Sequence, residues 1–193
     1  MKRLLSLIAI LGLLASASAE VEVYNIDPVH SSSAFSIRHM LSKFSSSFTK
    51  TTGTITVDRA NLANSSVEAA IEITSISTAN PDRDKHLQSP DFFDAVKFPT
   101  MTFKSKSWKK TGENTFDVTG ALTIKDVTKD VVLKVTSLGF GPGMRPGSQL
   151  SGWEASTVLK KSDFGVNGPA MLGKVLGDEV TVDISIEAGL KKS

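Results

Sequence analysis

Apolar and polar residues alternate with a period of two through most of the chain. Val67, Ala69, Ile71 and Ile73 alternate with Glu68, Glu72 and Thr74. Val180, Val182, Ile184 and Ile186 alternate with Thr181, Asp183, Ser185 and Glu187. Successive side chains on a strand point to opposite faces, so each run predicts a strand with one apolar and one wet face. Weaker versions predict strands at Val21–Ile26, at Ser32–His39 with Phe35, Ile37 and His39 on one face, around Ile55 and Val57, and from Met101 to Trp108. Others are predicted through Phe116 and Val118 to Leu122 and Ile124, at Val131–Val135, and at Trp153–Leu159. Phe44 to Thr52 is rich in Ser and Thr and reads as a twisted strand or a loop. Gly139–Gly152 and the stretch from Asp163 to Asp178 read as irregular, and the former as a mobile loop.

About eight or nine short amphipathic strands joined by turns favour an antiparallel barrel or sandwich, because such strands must curl to hide their apolar face. One stretch breaks the period. Asn80-Pro81-Asp82 supplies a cap residue, a proline at the first helical position and an acid in the first turn. Ser89-Pro90-Asp91 repeats that signal. A short helical insert is therefore expected, carrying Phe92, Phe93, Phe98 and, at its end, Phe103. From these residues alone it reads first as a plug at one end of the β structure, and second as a lid over an apolar cavity.

Lys2 and Arg3 precede an apolar run, Leu4–Leu14, that is short for a bilayer span, and Ala17-Ser18-Ala19 fits a small-residue cleavage rule. Residues 1–19 are thus expected to be a signal peptide and 20–193 one domain, periplasmic or secreted from a bacterium. The chain has no cysteine, which excludes thiolate catalysis, thiolate metal sites and disulfides. Of 22 Lys and Arg, two lie in the leader, leaving 20 against 20 Asp and Glu. Such neutrality gives no support for nucleic-acid binding. No later apolar run is long enough to span a membrane.

His30, His39 and His86, with Asp27 and Asp84, do not have the spacing of a known metal motif, and no Gly-x-Ser-x-Gly marks an activated serine. No catalytic residue, metal or cofactor is expected. Small inward residues such as Ala69, Ala155 and Thr157 leave room that Leu would fill, so the interior is either packed or a slim cavity.

Several motifs resemble the YceI-like, polyisoprenoid-binding (UPF0312-type) proteins. They are Tyr24-x-Ile26-Asp27-x-x-His30-Ser31, Phe35-x-Ile37-x-His39, Gly53-Thr54-Ile55 and Ser75-Ile76-x-Thr78. The densest is Asp82-Arg83-Asp84-x-His86-Leu87-x-Ser89-x-Asp91-Phe92-Phe93-Asp94, continuing to Phe98-Pro99-x-Met101-Thr102-Phe103. Gly120-x-Leu122-Thr123-Ile124, Val127-Thr128-Lys129 and Ser162-Asp163-Phe164-Gly165 complete the match. The resemblance implies an all-β, lipocalin-like antiparallel β-barrel of about eight strands with a short helical insert. Its pore would hold a long-chain isoprenoid, an isoprenoid quinone or a fatty amide, for transport or storage. Two departures are Ser46, where the family has glycine, and Lys160-Lys161, where it has Asn-Arg; a lysine offers a point charge and not a bidentate fork.

Taken with the strand faces, the resemblance puts candidate ligand-binding residues at Phe35, Ile37, His39, Phe48, Asp84, His86, Phe92, Phe93, Phe98, Met101, Phe103, Leu122, Ile124, Lys161, Asp163 and Phe164. The expected partner is a lipid, with no nucleic acid and no stable membrane span; a homodimer is left open. Two other classes are compatible: a lipid-modifying enzyme using Asp84, His86 or Asp163, and a solid barrel with a structural or stress-response role. N-terminal sequencing of exported protein should begin at Glu20; an intact Met1 would refute the leader.

Overall fold

The computed structural model describes residues 21–192, so the expected leader lies outside the described residues. Eleven strands form one antiparallel sheet. In chain order they are β1 (Val21–Ile26), β2 (Ser32–His39), β3 (Ser42–Phe48), β4 (Thr51–Asp58), β5 (Ser66–Glu72) and β6 (Ile76–Ser77). After the helix α1 (Pro81–Gln88) come β7 (Thr100–Lys110), β8 (Thr115–Ile124), β9 (Val127–Pro142), β10 (Gln149–Lys160) and β11 (Leu176–Leu190). Eight of them close a ring in the order β1-β4-β5-β7-β8-β9-β10-β11, with β11 returning to β1. The architecture is therefore a barrel and not a sandwich. Among the described residues no helix is long and apolar enough to cross a membrane.

The count exceeds the eight or nine strands expected because the Ser- and Thr-rich stretch is a full strand, β3, and the two-residue β6 follows β5; three walls are each made of two pieces. A turn at Asp27–Ser31 separates β1 from β2, where Asp27 Oδ1 accepts the Val29 N–H at 2.8 Å. Residues 49–50 separate β3 from β4, and a 3₁₀ turn, Ile73–Ser75, separates β5 from β6. The long strand β11 serves both halves. Ala188–Leu190 pairs with Tyr24–Ile26 of β1, and Val180–Ser185 pairs with Ile37–Ser32 of β2. Past that fork the wall continues through β2, β3 and the two-residue β6. No strand then joins β6 to β7. The segment from α1 to Pro99 fills this gap, and the Ile73 N–H donates to the Pro99 carbonyl at 2.9 Å where the wall resumes.

Two elements differ from expectation. Ser89-Pro90-Asp91 starts no second helix: Phe92 N–H and Asp94 N–H both return to the Ser89 carbonyl, and Asp94 then takes φ 51°. A left-handed residue so early ends any helical turn before it propagates. Gly139–Gly152 is mostly ladder. Gly139 lies opposite Gly152 and Phe140 opposite Ser151, with a bulge at Gly152/Trp153, so only residues 143–148 form the loop. Gly139 supplies the positive φ (107°) beside the bulge, and Gly152 gives room to Leu138, 3.2 Å from where a Cβ on Gly152 would stand. The glycines here therefore accommodate a bulged strand and do not break it.

Gly53 is a glycine of the wall that the geometry demands both by conformation and by space. Its φ is +146°, and an added Cβ would overlap the Glu68 carbonyl oxygen and stand 2.8 Å from the Ala69 Cα of the facing strand. Gly53→Ala should cost about 2 kcal/mol or more in a urea melt, since it is both strained and unable to pair. Gly141→Ala, with open space around it and no positive φ, should be close to silent.

Candidate functional site

Inward side chains converge on two apolar clusters, one built from the ring strands and one mostly from β3, β6 and the irregular segments. One contains Tyr24, Ile26, Ile55, Val57, Trp108, Phe116, Val118, Val135, Trp153 and Ala188. Its aromatics run edge to face: Phe140 on Trp153 at 5.9 Å, Trp153 on Trp108 at 5.7 Å, and Trp108 tilted on Phe116 at 5.7 Å. Arg59 covers its outer side, 4.3 Å from the Phe140 ring and paired with Glu22 at 2.8 Å. Trp153 Nε1 donates to Ser151 Oγ at 3.1 Å, whereas the buried Trp108 Nε1 has no partner. This is the plug. The expectation placed a plug in the helical insert, and the aromatic stopper stands instead among the ring strands. Trp108 reaches it only because a bulge between Ser105 and Ser107 shifts the parity set by Met101 and Phe103, and parity alone does not say which inward residues meet across the barrel.

The second cluster is Phe48, Ile73, Ile76, Phe92, Ala95, Met101, Ile124, Phe164 and Val166, with Phe35, Leu87 and Phe93 packed against it. It stands where the insert replaces a strand. A cavity of about 590 Å³ runs between the two clusters, within the usual range for ligand sites of roughly 300–1,000 Å³. Trp108 and Trp153 line one end, and exposed His39, Ser42, Lys43, Arg83 and His86 line the other. Between them the wall is Val67, Ala69, Ile71, Leu133, Val135, Ala155, Val182, Ile184 and Ile186. These residues are apolar, and several of them are only half-buried, because their inner sides face the cavity.

Of the residues singled out from the sequence, Phe35, Ile37, His39, Phe48, His86, Phe92, Phe93, Met101, Phe103, Leu122, Ile124, Lys161 and Phe164 line this cavity. Three do not. Asp84 turns back to accept hydrogen bonds from the Thr78 N–H (2.8 Å) and its hydroxyl, holding α1 against β6. Asp163 pairs outward with Lys129 at 2.8 Å. Phe98 sits under the Lys97 ammonium, 4.9 Å from its ring centre. Residues not singled out also line it: Lys43, Phe44, Arg83, Leu87, Leu172 and Leu176. The last two follow the Gly168-Pro169 turn, where hydrophobic alternation is absent.

The charged lining is of one sign. Lys43, Arg83 and Lys161 are present, with His39 and His86, and among the described residues no carboxylate lines the wall. Arg83 is held in place: Nε donates to Thr78 Oγ1 at 2.9 Å, Nη2 donates to the Thr78 carbonyl at 2.7 Å, and the guanidinium lies 4.3 Å over Phe44. His86 Nε2 is 2.9 Å from Asp91, and its ring meets Phe92 edge to face at 5.1 Å. Away from the cavity, Asp27, His30 and Glu187 bring ligand atoms within 4.8 Å of one another. There His30 Nδ1 bonds Asp27 at 2.8 Å, which holds the Asp27 carboxyl below its usual range and raises the imidazole. The three histidines thus stand at separate places: His30 beside Asp27, His39 at the end of β2 and His86 on α1.

The YceI-like domain pattern matches residues 24–188. The chain belongs to the YceI-like family. Protein YceI of Escherichia coli O17:K52:H18 is 36% identical over 197 residues, covering 99% of each chain. A UPF0312 protein of Pseudomonas savastanoi pv. phaseolicola is 35% identical over 184 residues, covering 94% of this chain and 93% of the relative. Among solved YceI-like barrels, the Campylobacter jejuni YCEI protein is 32% identical with a TM-score of 0.70, covering 79% of this chain and 88% of its own. A polyisoprenoid binding domain from Saccharophagus degradans shares the fold at TM-score 0.67 and 13% identity, covering 89% and 100%.

The neighbours Phe92 and Phe93 have different surroundings. Phe92 is buried, and a Cβ on Gly168 would stand 2.5 Å from its ring; Phe93 is half-buried and meets Phe48 edge to face at 5.7 Å. Phe92→Ala should lower stability by about 3–5 kcal/mol. Phe93→Ala should melt much closer to wild type while changing what the cavity retains. Equal thermal melts for the two variants would refute this division.

Proposed function

We propose that this protein is a carrier that holds the long apolar chain of a lipid, an isoprenoid by preference, and shields it from water in the periplasm or the medium. The supporting observation is the apolar cavity, blocked at the Trp108–Trp153 end and open where polar side chains stand. Shielding needs no reacting group. Each buried CH₂ contributes about 0.8 kcal/mol, so a five-carbon isoprene unit contributes roughly 4 kcal/mol and a few such units suffice for firm retention. A related fold is known as a polyisoprenoid binding domain, which supports the same ligand class here. Lys43, Arg83 and Lys161 would meet the polar head at the open end. Export through a leader at residues 1–19 would put the carrier where an apolar molecule must cross water.

The test is organic extraction of protein purified without detergent, followed by mass spectrometry, with native mass spectrometry for stoichiometry. A bound isoprenoid, quinone or fatty amide near one per chain is expected. Ala155→Phe should displace it while lowering the melt of ligand-free protein only modestly, because the new ring enters the cavity beside the cluster that Ala155 packs against. Protein that extracts no lipid, or delipidated protein that turns lipid over, would refute the carrier reading.

A further inference from the structure

The turn between β2 and β3 is made of Met40 and Leu41, since His39 pairs with Ser42 across it. Two-residue hairpin turns usually take Gly, Asn or Asp, because one or both positions need a positive φ. Here Met40 takes φ 48°, and both residues point into water: Met40 is 64% exposed and Leu41 96%. A second exposed methionine, Met171 at 76%, stands in the 3₁₀ turn Ala170–Lys174. The two turns are neighbours, because Met40 N–H donates to the Val175 carbonyl at 2.7 Å and His39 pairs with Leu176. Their inner sides, His39, Ser42, Lys43, Leu172 and Leu176, line the open end of the cavity, while Met40, Leu41 and Met171 do not.

Charge singles out the same rim. Arg38 and Lys43 lie directly opposite each other in the β2–β3 ladder, a like-charge pairing that weakens a hairpin. Lys174 adds a third cation. Residues 38–43 and 170–176 contain no carboxylate, and among the described residues none of these three cations is in an ion pair. An unusual apolar tip on a left-handed residue, flanked by unneutralised cations, fits one kind of partner.

We propose that this rim docks on an anionic lipid bilayer, with Met40, Leu41 and Met171 entering the headgroup–acyl boundary and Arg38, Lys43 and Lys174 meeting its phosphates. Interfacial anchoring of this kind combines buried apolar area with attraction to anionic lipid. A second copy of the chain is a poorer occupant, because it would bring the same three cations face to face. Docking turns the mouth of the cavity toward the hydrocarbon; Lys43 also lines that mouth, but Met40, Leu41, Met171, Arg38 and Lys174 do not, so the docking stands whether or not the cavity carries a lipid.

The test is co-sedimentation of delipidated mature protein with phosphatidylglycerol/phosphatidylethanolamine vesicles and, separately, with phosphatidylcholine vesicles. Wild type should pellet with the anionic vesicles, less so as salt is raised, and weakly with phosphatidylcholine. Met40→Gly/Leu41→Ser should reduce partitioning about tenfold or more through the lost apolar area, and Met171→Ser should reduce it less. Glycine accepts the left-handed position freely and Gly-Ser is an ordinary hairpin turn, so the double variant should melt at or above wild type and extract the same lipid. Leu41→Trp should shift its emission to the blue on anionic vesicles. Wild type that stays in the supernatant at low salt, equal binding to both vesicles, or a double variant that binds like wild type would each overturn the proposal. So would a dimer, seen by sedimentation equilibrium, that the double variant abolishes, because it would assign the tip to self-association.

Discussion

The barrel depends on one strand pairing twice. β11 gives its last residues to β1 and its earlier ones to β2. A sheet whose apolar face must be hidden, and whose edges must not be left bare, has few ways to end, and closure is one of them. If β11 paired only with β1, the wall would be a narrow tube. Forking allows the far half to widen, and the widening leaves a gap after β6 that needs more than a strand to fill. The insert from α1 to Pro99 occupies that gap, bringing Arg83, His86, Phe92 and Phe93 to the cavity wall.

The same arrangement separates two jobs that usually compete. Close packing is concentrated at the two ends of the cavity: Tyr24, Val57, Phe116 and Val118 are almost fully buried at one, and Ile73 and Phe164 at the other. The middle of the barrel is held by its ladders, so Val182, Ile184 and Ile186 can face space without costing the fold its core. Stability and capacity therefore sit at different heights of one structure. At the open end, polar contacts add to that packing: Asp84 and Arg83 both close on Thr78.

Much of this was legible in the alternation of residues. Parity placed Phe35, Ile37 and His39 on one face, as it did Val180 to Ile186, and all of them line the cavity. Capping chemistry located α1, whose Asn80 side chain accepts the Arg83 N–H. Legibility stopped where long-range geometry decides. Ser89-Pro90-Asp91 carries a valid helix signal, but Phe92 and Ala95 are drawn into the core within one turn, and Asp94 reverses the chain to allow it. A motif likewise marks residues without saying which way they face. Asp84 and Asp163 belong to matched motifs yet spend their carboxylates on Thr78 and Lys129. The aromatic stopper escaped notice because Trp153 stands on β10, three strands along the wall from Trp108, itself packed on Phe116 in the β7–β8 hairpin, and meets it only across the barrel.

That closure also dictates an order of events. The run β7-β8-β9-β10-β11 pairs each strand with the next along the chain, so it can zip up through near neighbours. The seam between β1 and β11 joins opposite ends of the domain and carries a large loop-closure entropy. High contact order of this kind slows folding. Until the last strand is free to reach the first, the chain is a curled open sheet with its apolar face uncovered. A nascent or translocating chain would hold that state for as long as its C-terminal strand is withheld, and would be exposed to capture by chaperones throughout.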